Sequence, residues 1–204
     1  MPSMSNNLFI QTVACVVGAY LLGSICSAIF FCRLLQKPDP RTVGSRNPGA
    51  TNVLRCAGRL AAILTLMGDI LKGFIPVVIA KNFGLAPLYI AIVGFAALLG
   101  HLFPIYFKFK GGKGVATTFG VIYGLNISLG LLATLTWLLL ALTFRYSSLA
   151  AIIMVIALPG YCYLLDLPFY ILPTSLLTLI VIITHQQNIR RLIAGKESKL
   201  GHKY

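Results

Sequence analysis

Residues 44–55 read Gly-Ser-Arg-Asn-Pro-Gly-Ala-Thr-Asn-Val-Leu-Arg. Small hydroxyls, amides, glycines and two guanidiniums fall within one short stretch. Pro48 and Gly49 predict a turn, and a glycine lets backbone N–H groups approach a ligand closely. Thr51 or Asn52 is suited to cap a short helix leading to Arg55. A turn that gathers N–H groups, hydroxyls and a guanidinium suits a phosphate, although a plain solvated basic loop uses the same residue types. A second stretch, residues 107–118, reads Phe-Lys-Phe-Lys-Gly-Gly-Lys-Gly-Val-Ala-Thr-Thr. Gly111, Gly112 and Gly114 around Lys113 predict exposed backbone amides at the start of a helix. The helix N-terminus and the ammonium both attract an anion there. A Walker A loop needs glycine where this chain has Phe107, so no nucleotide site is expected. The third stretch is His185-Gln186-Gln187-Asn188, followed by Arg190-Arg191. On one helix, His185 and Asn188 share a face.

These stretches sit in a chain made for lipid. Of 204 residues, 58% are hydrophobic and 10% charged, too few charges to cover a soluble domain of this size. Uncharged or nearly uncharged blocks run over residues 8–32, 60–80, 82–107, 114–144, 146–165 and 167–189. A crossing needs about 20 residues, so 114–144 is long for one span. The cluster Gly124-Leu125-Asn126-Ile127-Ser128 near its middle predicts two helices, the first one short. The total is seven spans. No basic stretch precedes the first block, which reads as a retained span rather than a signal peptide.

The net charge is +13. With the N-terminus outside, the inside segments are 33–59, 107–114, 145–148 and 186–204. They hold every Lys and Arg except Lys72 and Lys81, which puts the C-terminus in the cytoplasm. A six-span alternative places Arg145 outside. The excess charge is thus a topology signal, and no nucleic-acid partner is expected. Asp69 and Lys72, three apart inside the second block, predict an ion pair across one helical turn. Gly23, Ser24, Ser27 and Ala28 predict a close helix contact. Cys15, Cys26, Cys32, Cys56 and Cys162 lack metal-ligand spacing, as do His101, His185 and His202, so no metal or other cofactor is expected.

Taken in order, Gly23-Ser24, Ser45 to Arg55, Asp69-Ile70-Leu71-Lys72-Gly73, Gly100-His101-Leu102-Phe103-Pro104, Phe109 to Thr117 and His185 to Leu192 resemble the bacterial acyl-phosphate:glycerol-3-phosphate acyltransferase (PlsY) family. The resemblance covers essentially the whole chain. It implies an all-α polytopic protein of the bacterial inner membrane, with seven transmembrane helices and an outside N-terminus. Residues 1–204 form one acyltransferase domain, with cytoplasmic motif loops at 33–59, 107–114 and 185–204. The implied reaction moves a fatty acyl chain from acyl phosphate to the 1-hydroxyl of glycerol 3-phosphate, giving lysophosphatidic acid and phosphate. Ser45, Asn47, Thr51, Asn52, Arg55 and Lys113 would hold the phosphates, with Gly49 and Lys110 among the binding residues. Gly111 and Gly112 would seat glycerol 3-phosphate. His185 and Asn188 would complete the site, and with Ser45 they are the catalytic candidates. Membrane lipids and a transient contact with the soluble enzyme that makes acyl phosphate are the implied partners. Two positions depart from the family pattern: Arg46 stands where glycine is usual, and Gln187 where an acid is usual.

Acyl phosphate is already an activated anhydride, and no Ser-His-Asp set is visible. Direct attack by the glycerol hydroxyl is the expected route, with His185 or the substrate's own phosphate as base. Acyltransferases that use acyl-CoA or acyl carrier protein commonly carry a histidine followed five residues on by aspartate, but His101 is followed there by Tyr106. The rival readings are an organic-phosphate transporter, which needs polar residues at mid-membrane depth, and an accessory subunit without chemistry.

Overall fold

The computed structural model describes the backbone of residues 2–201 and the side chains of residues 7–201. His202 and Lys203 lie outside the described residues. Those residues form helices and turns, with no strand among them. In chain order the helices are α1 (Pro2–Gly23), α2 (Ser27–Leu34), α3 (Ala50–Cys56), α4 (Arg59–Asn82), α5 (Pro87–Leu102), α6 (Val115–Leu125), α7 (Ile127–Phe144), α8 (Ser147–Leu164), α9 (Pro168–Thr184) and α10 (Gln186–Ile193). A 3-10 turn, Ile105–Phe107, follows α5.

Length and composition let α4, α5 with its following turn, α7 and α8 cross a membrane. The pairs α1/α2 and α9/α10 raise that number from four to six if each bent pair is one span. The one expected span left over is α6, the short first half of 114–144, whose 11 residues reach about 16 Å, roughly half of a 30 Å hydrocarbon layer. Outward side chains are apolar, among them Leu131, Leu135 and Leu142 on α7 and Leu172 and Leu179 on α9, as lipid-facing surfaces require.

The first and last expected spans are not straight. The chain bends 45° between α1 and α2, where the Ile25 carbonyl accepts from the Lys72 ammonium at 2.8 Å. It bends 62° at His185. His185 and Asn188 therefore do not lie on one helix. His185 is the corner, and Asn188 belongs to α10.

The break between α6 and α7 falls inside the expected cluster. The Asn126 side chain accepts from the Leu129 N–H at 3.0 Å and caps α7. Lys81 donates to the Gly124 and Leu125 carbonyls, both at 3.0 Å, and closes the end of α6. That contact is the physical reason for a lysine at the far end of α4. Two crossings are as close as backbones allow. A Cβ on Gly23 would overlap the Ala97 carbonyl, and one on Gly100 would overlap that of Tyr20, so α1 and α5 touch along their backbones. Gly73 against the Thr117 carbonyl and Gly120 against that of Ile70 do the same for α4 and α6. Contacts bring the segments before α3, after α5, after α7 and after α9 together: Arg41 lies over the Phe107 ring, Thr51 meets Ser147, and Lys113 meets Asn188.

Candidate active site

The first loop is shaped around Asn52. Its amide donates to the carbonyls of Pro40 (2.9 Å) and Val43 (3.2 Å), and its Oδ1 accepts from the Ser45 N–H (2.9 Å). Asn52 is buried. Its side-chain amide holds residues 40–45 together. The loop displays Ser45 and Arg46 on its exposed rim. Arg46 has φ 58°, a conformation that glycine holds freely and other residues hold at about 1 kcal/mol. Gly49 is extended, with φ −124°, and its value is room, since a Cβ would stand 2.8 Å from Asn47 Nδ2. The Thr51 hydroxyl lies 3.3 Å from that of Ser147 at the start of α8. Arg55, in the last turn of α3, donates to the carbonyls of Ser198 (3.1 Å) and Lys199 (3.3 Å).

The glycine loop sits on the end of α5. Gly111 N–H donates to Leu102 O and Gly112 N–H to His101 O, both at 3.2 Å. These two amides, expected to face an anion, point back into the protein, because the last carbonyls of a helix lack intrahelical partners. The anion-attracting groups of this segment are then Lys113 and the first turn of α6 beyond Gly114. Lys110 is exposed at the rim.

Lys113 and Asn188 meet across 75 residues of sequence: the ammonium donates to Asn188 Oδ1. The Thr184 hydroxyl donates to Lys113 O at 3.2 Å and ties α9 to the loop. His185, 3% exposed, has its Nδ1 at 2.8 Å from Val181 O. A carbonyl only accepts, so the proton is on Nδ1 and the lone pair on Nε2. Gln187 is exposed, so the departure at that position lies on the rim while Asn188 faces inward.

Sequence reasoning missed the strap that follows α10. Glu197 accepts from Asn188 Nδ2 (2.6 Å), Ser148 Oγ (2.6 Å) and Arg191 Nε (2.7 Å). Its one visible signal is that Glu197 is the only glutamate in the chain and sits in a basic tail. Burial raises the Glu197 carboxyl, but the bonds from Ser148, Arg191 and Asn188 outweigh it and hold the group below its ordinary range. Burial, helped by the nearby charges of Arg191 and Arg55 and opposed by Glu197, lowers Lys113 to about 8. Lys113, Asn188, His185, Ser148, Glu197, Arg191 and Arg55 thus form one cationic cluster. Ser45, Asn47 and Lys110 occupy the loops around it.

The glycerol-3-phosphate acyltransferase family profile matches residues 13–195. A glycerol-3-phosphate acyltransferase of Thioalkalivibrio sulfidiphilus is 52% identical over 191 residues, covering 93% of this chain and 94% of its own. One from Vibrio campbellii is 51% identical over 187 residues, 92% of each chain. Two crystal structures of PlsY (YgiH), an integral membrane glycerol 3-phosphate acyltransferase, share the fold. The glycerol 3-phosphate form has TM-score 0.89 and 40% identity over 93% of this chain and 96% of that one. The lysophosphatidic acid form has TM-score 0.87 and 38% identity over 93% and 95%. With nearly the whole chain matched in sequence and in structure, it belongs to the glycerol-3-phosphate acyltransferase family.

Proposed function

We propose that this integral membrane acyltransferase takes its acyl group from acyl phosphate and passes it directly to the 1-hydroxyl of glycerol 3-phosphate. The observation that carries the reading is the half-buried Lys113 ammonium held against Asn188 beside His185. Two phosphate-bearing substrates repel each other, and a fixed cation in a partly dry site offsets that repulsion. His185 turns Nδ1 to a backbone carbonyl rather than a carboxylate, which supports a route without an acyl-enzyme. In that route the glycerol O1 attacks the acyl carbon, the C–O bond to phosphate breaks, and inorganic phosphate leaves. The O1 proton passes to His185 Nε2 or to a substrate phosphate oxygen. A mostly apolar groove of about 360 Å³ lined by Ile25, Ile29, Phe30, Leu34 and Phe107, with Arg33 also on its wall, supports a seat for the acyl tail, since Phe107 leads into the glycine loop. The gathering of basic segments at one end supports seven spans in the bacterial inner membrane, an outside N-terminus and a site facing the cytoplasm. A soluble enzyme making acyl phosphate would meet that face.

The test uses purified protein in lipid with palmitoyl phosphate and glycerol 3-phosphate. Phosphate release and lysophosphatidic acid formation that require both substrates are expected. Equal transfer from palmitoyl-CoA would overturn the donor assignment. Retained turnover in His185→Ala would give the proton to substrate phosphate.

The lowered Lys113 also sets a pH dependence. Its ammonium is half lost at pH about 8 and falls away progressively as pH rises through that value. A bound phosphate dianion favours the charged form, so affinity for glycerol 3-phosphate is expected to fall as pH rises through that value. The measurement is KM for glycerol 3-phosphate from pH 6 to 10, and a flat profile would contradict it.

A further inference from the structure

Three ionisable side chains lie buried away from the cluster around Lys113. Asp69, Lys72 and His101 are 2%, 4% and 6% exposed, and charge at this depth in a membrane protein is costly. Lys72 has a clear task. It pairs with Asp69 Oδ1 at 2.9 Å and donates to the Ile25 carbonyl at the break between α1 and α2. Asp69 offsets that charge. His101 has no such task. Its Nδ1 faces Asp69 Oδ1 at 3.6 Å, an electrostatic contact too long for a hydrogen bond. The other edge of the ring lies under the glycine loop: a Cβ on Gly112 would overlap His101 Nε2 and stand 2.9 Å from Cε1. The His101 carbonyl accepts the Gly112 N–H at 3.2 Å, and the next carbonyl, Leu102, accepts that of Gly111. The imidazole is thus wedged between a buried carboxylate and the residue before Lys113.

We propose that His101, braced by the Asp69–Lys72 pair, is a positioning residue for glycerol 3-phosphate: its ring sets the height of Gly112 and so the placement of the Lys113 ammonium. This rests on the proposed reading of the site. An apolar side chain of similar volume would fill the space beneath the loop at less desolvation cost. A ring whose edge is drawn to Asp69 holds one orientation, and the backbone of Gly112 rests on it. The chain of contacts from the Ile25 carbonyl through Lys72, Asp69 and His101 to Gly112 links the bend in the first span to the loop that carries the cation.

The test is a mutational cycle on the full chain in lipid, reading KM for each substrate, kcat, and direct glycerol 3-phosphate binding by calorimetry. In Gly112→Ala the added methyl strikes the ring, and KM for glycerol 3-phosphate is expected to rise about tenfold or more. KM for palmitoyl phosphate should stay unchanged. His101→Ala alone removes the seat and raises the same KM. In the double variant the methyl enters the space the ring has left, and KM should return to within about threefold of the parent protein. Gly111→Ala is the control. Its methyl strikes the carbonyls of His101 and Leu102, so His101→Ala should not rescue it. If His101→Ala fails to give a monodisperse protein, His101→Asn replaces it in the same cycle, a smaller amide with the same expected relief of Gly112→Ala. Independent, multiplicative effects at positions 101 and 112, or equal damage to both substrates' KM values, would overturn the proposal. A parent protein that binds no glycerol 3-phosphate would instead overturn the reading of the site itself.

Discussion

Lys113→Ala is expected to slow acyl transfer by about 100- to 1,000-fold, the size of effect seen when one preorganised charge-stabilising donor is removed from an active site. Lys113 is the cation that the glycine loop, α9 and α10 all converge on. Thr184 holds its carbonyl, Asn188 its ammonium, and partial burial reduces screening by water. Removing it leaves the surrounding frame in place, because Glu197 keeps its bonds to Asn188, Ser148 and Arg191. The loss should therefore appear in turnover and in KM for glycerol 3-phosphate, with the thermal midpoint near that of the parent protein. Lys113→Arg is expected to recover only part of the activity. A planar guanidinium does not replace a compact ammonium against one amide oxygen. Activity of Lys113→Ala within threefold of the parent, in initial-rate assays at saturating palmitoyl phosphate, would remove this residue from the mechanism.

Gly120→Val should prevent folding outright or lower the thermal midpoint severely. Its Cβ would overlap the Ile70 carbonyl and stand 2.8 Å from the Phe74 nitrogen. Both are helix backbone atoms and have no rotamer in which to retreat. In lipid no hydrophobic force holds α4 to α6. The pair depends on close van der Waals contact, and prising it apart forfeits that contact along its length. Overpacking usually costs about 1–3 kcal/mol, and a backbone-to-backbone crossing belongs at or beyond the upper end. Gly18 and Gly160 supply the contrast, since a Cβ at either meets nothing within 4 Å. Alanine there should be neutral or stabilising by up to about 1 kcal/mol through helix propensity. Thermal midpoints by intrinsic fluorescence in one detergent compare all three. A folded, stable Gly120→Val would show that the crossing is looser than its geometry.

Charge spacing made much of the architecture readable, because in a lipid-soluble chain each apolar block between charges is close to one helix. The split within residues 114–144 was visible in Asn126, whose side chain caps the next helix. The pair Asp69–Lys72 was visible because three residues make one turn. The bends were not visible. The one after Gly23 is stabilised by an ammonium 47 residues away, and the one at His185 by contacts that exist only once Lys113 and Glu197 have arrived. Of the candidate site residues read from the sequence, the structure brings Lys113, Asn188, His185 and Arg55 into one cluster. Asn52 and the amides of Gly111 and Gly112 are polar groups turned inward to build the loops. Glu197 went unnoticed because its importance comes from three partners, two on α10 and one on α8.

The strap also fixes the order in which the parts of the protein can come together. Glu197, Ser198 and Lys199 are hydrogen-bonded to residues of α3, α8 and α10. A ribosome adds them only after every one of those helices has been synthesised. Until the strap emerges, Asn188 and Ser148 lack the carboxylate that joins them. The nascent chain can thus enter the bilayer helix by helix before the cluster around Glu197 is joined, and insertion is separated in time from the closing of that cluster.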